Sequence, residues 1–436
     1  MTTEATNATA TTAAAGSAYN SKAYRYYALS LLTLTYAINF IDRQILAILQ
    51  EPIKAELGLS DSQLGLLTGF AFAVFYVVCG IPIARWADRG VRRSIIALAI
   101  TVWSAMTGLC GLAQNYVQLL LARVGVGVGE AGGSPPAHSM ISDIFPPTER
   151  ATALSTYSVG INIGIMAGFL MGGWLNEFFG WRVAFFAVCV PGLILALVLR
   201  FTLAEPERGH SEGVAASEPE GKAPSFAEVV HKLWSLRTFR HLAFASALVT
   251  VANYASITWM PSYLIRTHGM STGEIGTWLA LLAGVFGGVG TFLGGYLSDR
   301  FGSRDLRWYA WIPAITFVVC VPLAVATLLA DSGSVALMYY ALPVALGSLF
   351  IGPAVAITHG MVPNRMRAMA SAIYFLVLNL IGMGLGPLVV GVLSDALAPT
   401  YGADSLRYAL LLVAPVMFAW GAVHFFWASS YIRQES

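Results

Sequence analysis

Asp88-Arg89-Gly90-Val91-Arg92-Arg93 closes one apolar run, and Asp299-Arg300-Phe301-Gly302-Ser303-Arg304 closes another 211 residues later. Each hexapeptide is a knot of charge between stretches that carry almost none. Those stretches are ~20 residues long, the length at which a helix crosses a bilayer. Recurrence at about half the chain marks an internal repeat. Six apolar runs make up each half, so both halves keep one orientation, as in membrane proteins whose halves are related by an axis along the membrane normal.

Composition agrees with the repeat. Hydrophobic residues make up 57% of the chain and charged residues 11%, whereas a soluble domain carries roughly 25% charged residues to keep its surface wet. The lipid bilayer is therefore the main solvent. Apolar windows bounded by Gly, Pro and charge place spans near 27–49, 62–84, 94–113, 116–140, 151–175 and 182–203, then 241–265, 274–298, 308–330, 335–360, 368–393 and 405–430. The expected fold is all-α, with twelve transmembrane helices in two pseudo-symmetric six-helix bundles, 24–204 and 237–432. Residues 1–23, rich in Ala and Thr without a basic or apolar leader, are expected to be a disordered tail, and 205–236 a cytoplasmic linker.

Basic residues near span ends favour the cytoplasmic side. With both termini inside, only Lys54, Arg182, Arg266 and Arg407 of the 25 Lys and Arg residues face outward, while Arg43 and Arg123 fall within spans. That distribution predicts an integral plasma (inner) membrane protein with cytoplasmic termini. No basic face is left to track a nucleic acid. Cys79, Cys110, Cys189 and Cys320 each lie in an apolar run without metal-ligand spacing, and read as small buried hydrophobes.

The repeated Asp-Arg loop resembles the signature of the major facilitator superfamily, and the resemblance covers essentially the whole chain. It implies a transporter, monomeric and without a cofactor. It also implies gating roles for Asp88, Arg89 and Arg93, and for Asp299 and Arg300 in the second copy: the acid caps a neighbouring helix while the arginines latch one conformation.

Charges inside the spans are expensive in lipid, so they face a protein interior or a cavity and mark a pathway. Asp42 and Arg43 are adjacent in the first span. Arg123 and Glu130 lie seven residues apart in the fourth, two helical turns, and so share a face. By helical rise, Asp42 lies about 12 Å and Arg123 about 10 Å below the outer surface, so the two are expected to be neighbours, with Glu130 about 21 Å deep. Gly125, Gly127, Gly129, Gly132, Gly133, Pro135 and Pro136 give the fourth span close packing and a bend. One alternative role for these four charges is purely structural ion pairing. The other is work: Asp42 and Glu130, in different surroundings, titrate differently and carry protons, while Arg123 offers planar bidentate donors to a phosphate or carboxylate.

Asn39-Phe40-Ile41-Asp42-Arg43, followed by Arg123-Val124-Gly125-Val126-Gly127-Val128-Gly129-Glu130, is similar to the Spinster branch of the superfamily. That resemblance implies proton-coupled transport of a lysophospholipid or sphingoid-phosphate-like amphiphile. Asp42 and Glu130 would carry protons, Arg123 would hold the anionic headgroup, and Arg43 would relay between them. A small soluble organic anion is the alternative substrate, and a receptor or lipid-modifying enzyme the third reading. From the second half, Asn253, Tyr254 and Trp259, with Tyr374 and Asn379, are candidates to line the cavity, with interface anchoring as the alternative for the aromatics. The histidines His138, His359 and His424 read as structural. No catalytic or paired-metal spacing is present, so neither enzyme chemistry nor a metal is expected.

Overall fold

The computed structural model describes residues 19–209, 211 and 225–435. Among them there is no strand, and twelve helical segments long enough to span a membrane follow in order. In the first half these are α1 (Lys22–Ile48), α2 (Asp61–Arg89), α3 (Arg92–Leu112), α4 (Tyr116–Glu130 continuing as Ser134–Ile144), α5 (Pro147–Phe179) and α6 (Trp181–Thr202). The second half holds α7 (Arg237–His268), α8 (Thr272–Gly302), α9 (Trp308–Leu328), α10 (Gly333–Gly360), α11 (Arg367–Val377 continuing through a π turn as Gly384–Tyr401) and α12 (Ser405–Glu435). All twelve fall on the spans expected from hydropathy. An even number of crossings leaves both chain ends on one side, here named the termini-bearing end; the other is the distal end.

Local signals set the boundaries. The Ser60 hydroxyl accepts the Gln63 N–H, and Gln63 answers the Ser60 N–H, so a capping box starts α2. Gly269, at φ +64°, ends α7 in the left-handed conformation that costs glycine nothing. The helices are not uniform: π turns occur at Leu66–Phe70 in α2 and Leu282–Phe286 in α8, matching positions of the two halves, and at Leu378–Met383 in α11.

Two boundaries differ from expectation. Tyr19, inside the stretch expected as tail, is buried, and its hydroxyl donates to the Ala204 carbonyl, so order begins before residue 24; residues 1–18 lie outside the described residues. Within the expected linker, Phe226–Ser235 forms a helix behind a Ser225–Glu228 capping box. Its Val229 and Leu233 are buried in the second half, because an apolar pair at i, i+4 shares one face. The rest of that linker's middle, 212–224, lies outside the described residues.

Buried apolar residues form three clusters, and their placement gives the shape. One, at the distal end, runs across both halves, joining Ile48, Leu64 and Trp181 to Trp259, Leu279 and Leu410. The other two lie toward the termini-bearing end, one around Trp103 and Met140, the other around Phe317 and Phe425. The first of these reaches the other half at Met383 and Tyr254. Glycines bring the halves together distally: a Cβ on Gly65 would meet the Pro387 carbonyl at 2.5 Å, and one on Gly276 the Phe169 carbonyl at 2.4 Å. Toward the termini-bearing end, nothing lies within 4 Å of a Cβ built on Gly80 of α2 or Gly295 of α8. The halves are thus joined at the distal end and part below it.

Candidate functional site

The glycines of α4 position the charged groups. A Cβ on Gly129 would sit 2.7 Å from the Trp103 nitrogen, and one on Gly127 3.0 Å from the Phe72 carbonyl, so α4 lies backbone-close to both α3 and α2. Its regular bonding breaks at residues 131–133, just past Glu130. Pro135 and Pro136 restart it, tolerated because first-turn N–H groups have no partner within the helix.

This close packing brings the four intramembrane charges together. Arg43 Nε donates to Glu130 Oε2 at 2.6 Å. The Arg43 guanidinium lies 4.9 to 5.0 Å from the ring centres of Phe40, Phe72 and Tyr76, a three-sided cation–π seat. Arg123 is buried, donates to the Asp42 carbonyl at 3.3 Å, and also lies over the Phe72 ring, 5.5 Å from its centre. The Asp42 carboxylate is fully buried, with Arg123, Glu130, Thr107 and Trp103 as its surroundings.

What distinguishes this cluster is incomplete pairing. Arg123 Nε and Ser104 Oγ are buried without a hydrogen-bond partner among the described residues, and the Asp42 carboxylate and Glu130 Oε1 are only loosely met, by Thr107 and Trp103 on the first and Asn39 on the second. A purely structural ion-pair core closes such valences, because each open one costs about 1–3 kcal/mol. The cluster opens to a cavity between the halves, lined by Arg43, Phe72 and Arg123 from the first half and by Tyr254, Thr258 and Met383 from the second.

The sequence-chosen residues of the second half separate here. Tyr254 meets the charges. The Asn253 amide donates instead to the Gly347 carbonyl within the second bundle, Tyr374 is fully buried with its hydroxyl on Ser246, and Asn379 lies half-buried in the α11 π turn. Trp259 is bonded to the Pro387 carbonyl, His359 to Ser371, and His138 sits edge-on to Tyr157.

Of the loop residues, Asp88 and Arg89 are exposed, with no hydrogen bond or ion pair among the described residues, and Arg93 binds the Leu203 carbonyl. Asp299 accepts from the Tyr309 hydroxyl, and Arg300 donates to that of Tyr296. The buried member of the loop is Arg92, which holds Asp143, Glu205, Ser139 and the Pro206 carbonyl. Every ion pair among the described residues at this end stays within one half.

At the distal end the polar groups cross. Arg266 of α7 forms ion pairs with Glu51 and Asp61 of the first half, both at 2.7 Å. Asp61 also takes Lys54 and the Ser394 hydroxyl, and Asp395 of α11 accepts the N–H groups of Asp61 and Ser62 at the start of α2. This network went unread in the sequence. Arg266, Glu51 and Asp61 look like ordinary loop charges, and only their 205-residue separation in sequence brought to 2.7 Å in space gives them meaning.

The family model described as Major Facilitator Superfamily matches residues 32–380. An MFS-type efflux pump of Mycolicibacterium smegmatis is 35% identical over 415 residues, 94% of this chain and 93% of that protein. A hexuronate transporter of Bacillus subtilis is 27% identical over 88% of this chain and 91% of its own length. Among solved structures, a bacterial homolog of the human lysosomal transporter Spinster, in an inward-facing and unoccupied conformation, superposes with a TM-score of 0.86 at 34% identity, covering 95% of this chain and 99% of that one.

Proposed function

The chain belongs to the major facilitator superfamily, as a Spinster-like transporter and not an enzyme, and from that premise we propose that it moves an anionic lysolipid-like amphiphile in exchange between two open states, coupled to protons. The observation that carries this is the underpaired charge cluster on the cavity between the halves. Arg43 and Arg123 take the headgroup phosphate or carboxylate, Tyr254 closes over it, and the aromatic and Met383 walls take the adjoining apolar chain.

Coupling follows from competition for Arg43. Glu130 holds that guanidinium now. A proton on Glu130 cancels the attraction and frees Arg43 for the substrate anion, so proton and anion favour each other's binding, reciprocally. Asp42 acts on Arg123 through its charge alone, since the Arg123 hydrogen bond goes to the Asp42 backbone carbonyl. We take the termini as cytoplasmic in the plasma membrane, which makes this the inward-facing state, with the Arg266 network as the outer latch and the Asp88 and Asp299 loops as the inner gate. Alternating access is then the exchange of one closed end for the other.

The test is uptake of a labelled lysophospholipid into proteoliposomes under an imposed pH gradient. Gradient-driven flux that vanishes in Arg123→Ala and loses its pH dependence in Glu130→Gln is the expected result. The relationship to a hexuronate transporter supports a second reading, a small soluble organic acid on the same two arginines. Flux of a hexuronate with none of any lysolipid would replace the first reading with the second.

A further inference from the structure

A second polar site lies on the outside of the second half, away from the cavity, where α7 meets α12. His241 and His424 face each other with their Nδ1 atoms 3.0 Å apart. In such a neutral pair one Nδ1–H donates and the other Nδ1 accepts. The accepting ring must then carry its proton on Nε2, and that N–H has no partner among the described residues. Beside it stands Arg240, which acts on His241 and whose side chain makes no hydrogen bond or ion pair among the described residues. The Glu435 carboxylate, whose charge also reaches His241, is held by the backbone N–H groups of Arg237 and Thr238 and forms no ion pair with Arg240.

The level in the membrane is fixed by length. α7 has 32 residues, about 48 Å at 1.5 Å per residue, against a hydrocarbon core of about 30 Å, which leaves about 9 Å of helix beyond the core at each end. Arg240 and His241, three and four residues in from the start of α7, about 5 to 6 Å, lie in the headgroup layer, while His424, about 16 Å from the end of the 31-residue α12, meets them from the edge of the hydrocarbon. Around them Trp420, Trp427 and Phe244 are exposed to the lipid side, packed on the histidine rings, and Trp234 of the surface helix touches Phe244. The matching seam of the first half, between α1 and α6, is also polar at this end, where Tyr24 and Tyr27 bond Thr202, and turns apolar deeper, at Leu31, Leu34, Ile38, Val188 and Ile194. The second half differs in carrying imidazoles and a cation there instead of hydroxyls closed on one another.

We propose that the α7–α12 seam binds one anionic phospholipid, its phosphate held by Arg240 and the free imidazole N–H, its acyl chain along Phe244 and Trp420. A cation and a donor left open at headgroup level, framed by interfacial aromatics, is the arrangement that recognises a lipid phosphate and not a neutral headgroup. The site is distinct from the transport cavity and does not depend on the transported substrate.

Native mass spectrometry of the full chain in neutral detergent tests it, titrating phosphatidylglycerol, phosphatidylcholine and inorganic phosphate. The expected result is a single phosphatidylglycerol retained about fivefold or more over phosphatidylcholine, not displaced by inorganic phosphate, with the preference lost in Arg240→Gln and in His424→Gln. Thermal melting without added lipid serves as the folding control for both variants. Equal retention of the two lipids overturns the proposal. So does a preference unchanged in two folded variants, or displacement by inorganic phosphate, which would make the site one for a soluble anion.

Discussion

Two arginines cross-examine one another in this molecule. Arg43 lies at the centre, bonded to Glu130 of its own half, in a cluster whose other buried polar atoms, Arg123 Nε and Ser104 Oγ among them, are open or only loosely met. Arg266 lies at the distal end, bonded across the halves to Glu51 and Asp61, where the surrounding acceptors are also met by Lys54 and Ser394. Both are part-buried arginine–carboxylate pairs of nearly equal length, with Glu130 and Asp61 as the buried acids. The difference lies in what else the pair touches: a closed set of partners across an interface makes a latch, and an open set inside one body makes a site that can accept something else.

The largest expected effect breaks the central member. Glu130→Gln strands the Arg43 guanidinium, and breaking one side of a buried pair costs about 3–5 kcal/mol. Gradient-driven uptake falls to background and the melting temperature drops. Removing both charges, Arg43→Gln with Glu130→Gln, restores much of the melting temperature because nothing is left uncompensated, yet leaves uptake at background. If the double variant melts no higher than the single one, the pair is not what holds the site together. Next in size is the latch. Arg266→Ala leaves Asp61 and Glu51 without their cross-half cation, the Asp61 carboxylate keeping only the Ser394 hydroxyl across the interface, at about 2–3 kcal/mol since the network is only partly desolvated, and shifts the population toward a state open at the distal end. Spin labels in the 113–115 and 329–332 loops report this as added longer distances. An unchanged distribution would assign closure to the helix contacts instead.

Those contacts give the third effect. Gly276→Leu puts a side chain where a Cβ already lies 2.4 Å from the Phe169 carbonyl, so α5 and α8 must separate, at about 1–3 kcal/mol. The same labels should move in the same direction by less than for Arg266→Ala.

The fold was legible because lipid leaves little choice: apolar windows, basic asymmetry and the repeated Asp-Arg loop placed all twelve spans. The Asp42–Arg123 contact was legible from helical rise alone, and so was the bend in α4 from its glycines and prolines. Tyr254 was found, but its neighbour Asn253 turns into the second bundle, since adjacent residues on a helix point about 100° apart and sequence does not say which face the cavity takes. The latch was illegible for another reason. Glu51, Asp61 and Arg266 sit at span ends, where charges are expected on solvation grounds, so their types carry no signal until the two halves are docked. Arg92, read only as one more basic residue of the loop, is its buried anchor, and Asp143 and Glu205, the acids that mark it, lie 51 and 113 residues away.

The smallest effect is the sharpest test of the comparison at the other end. Asp88 is exposed and unpartnered among the described residues, so Asp88→Asn changes no contact of this state. Its melting temperature should move by no more than an exposed substitution allows, within about 0.5 kcal/mol. The gating role requires that this same carboxylate gain a partner when the termini-bearing end closes, as Arg266 has one now at the distal end. Asp88→Asn should therefore leave the stability of the isolated protein alone while lowering the fraction closed at the termini-bearing end, and with it the turnover of uptake at saturating substrate. The two readouts must part company. A variant that transports like the wild type would make the first loop a topological marker and place the inner gate elsewhere, on Asp299. A variant that also melts early would mean that Asp88 already works in the state described here.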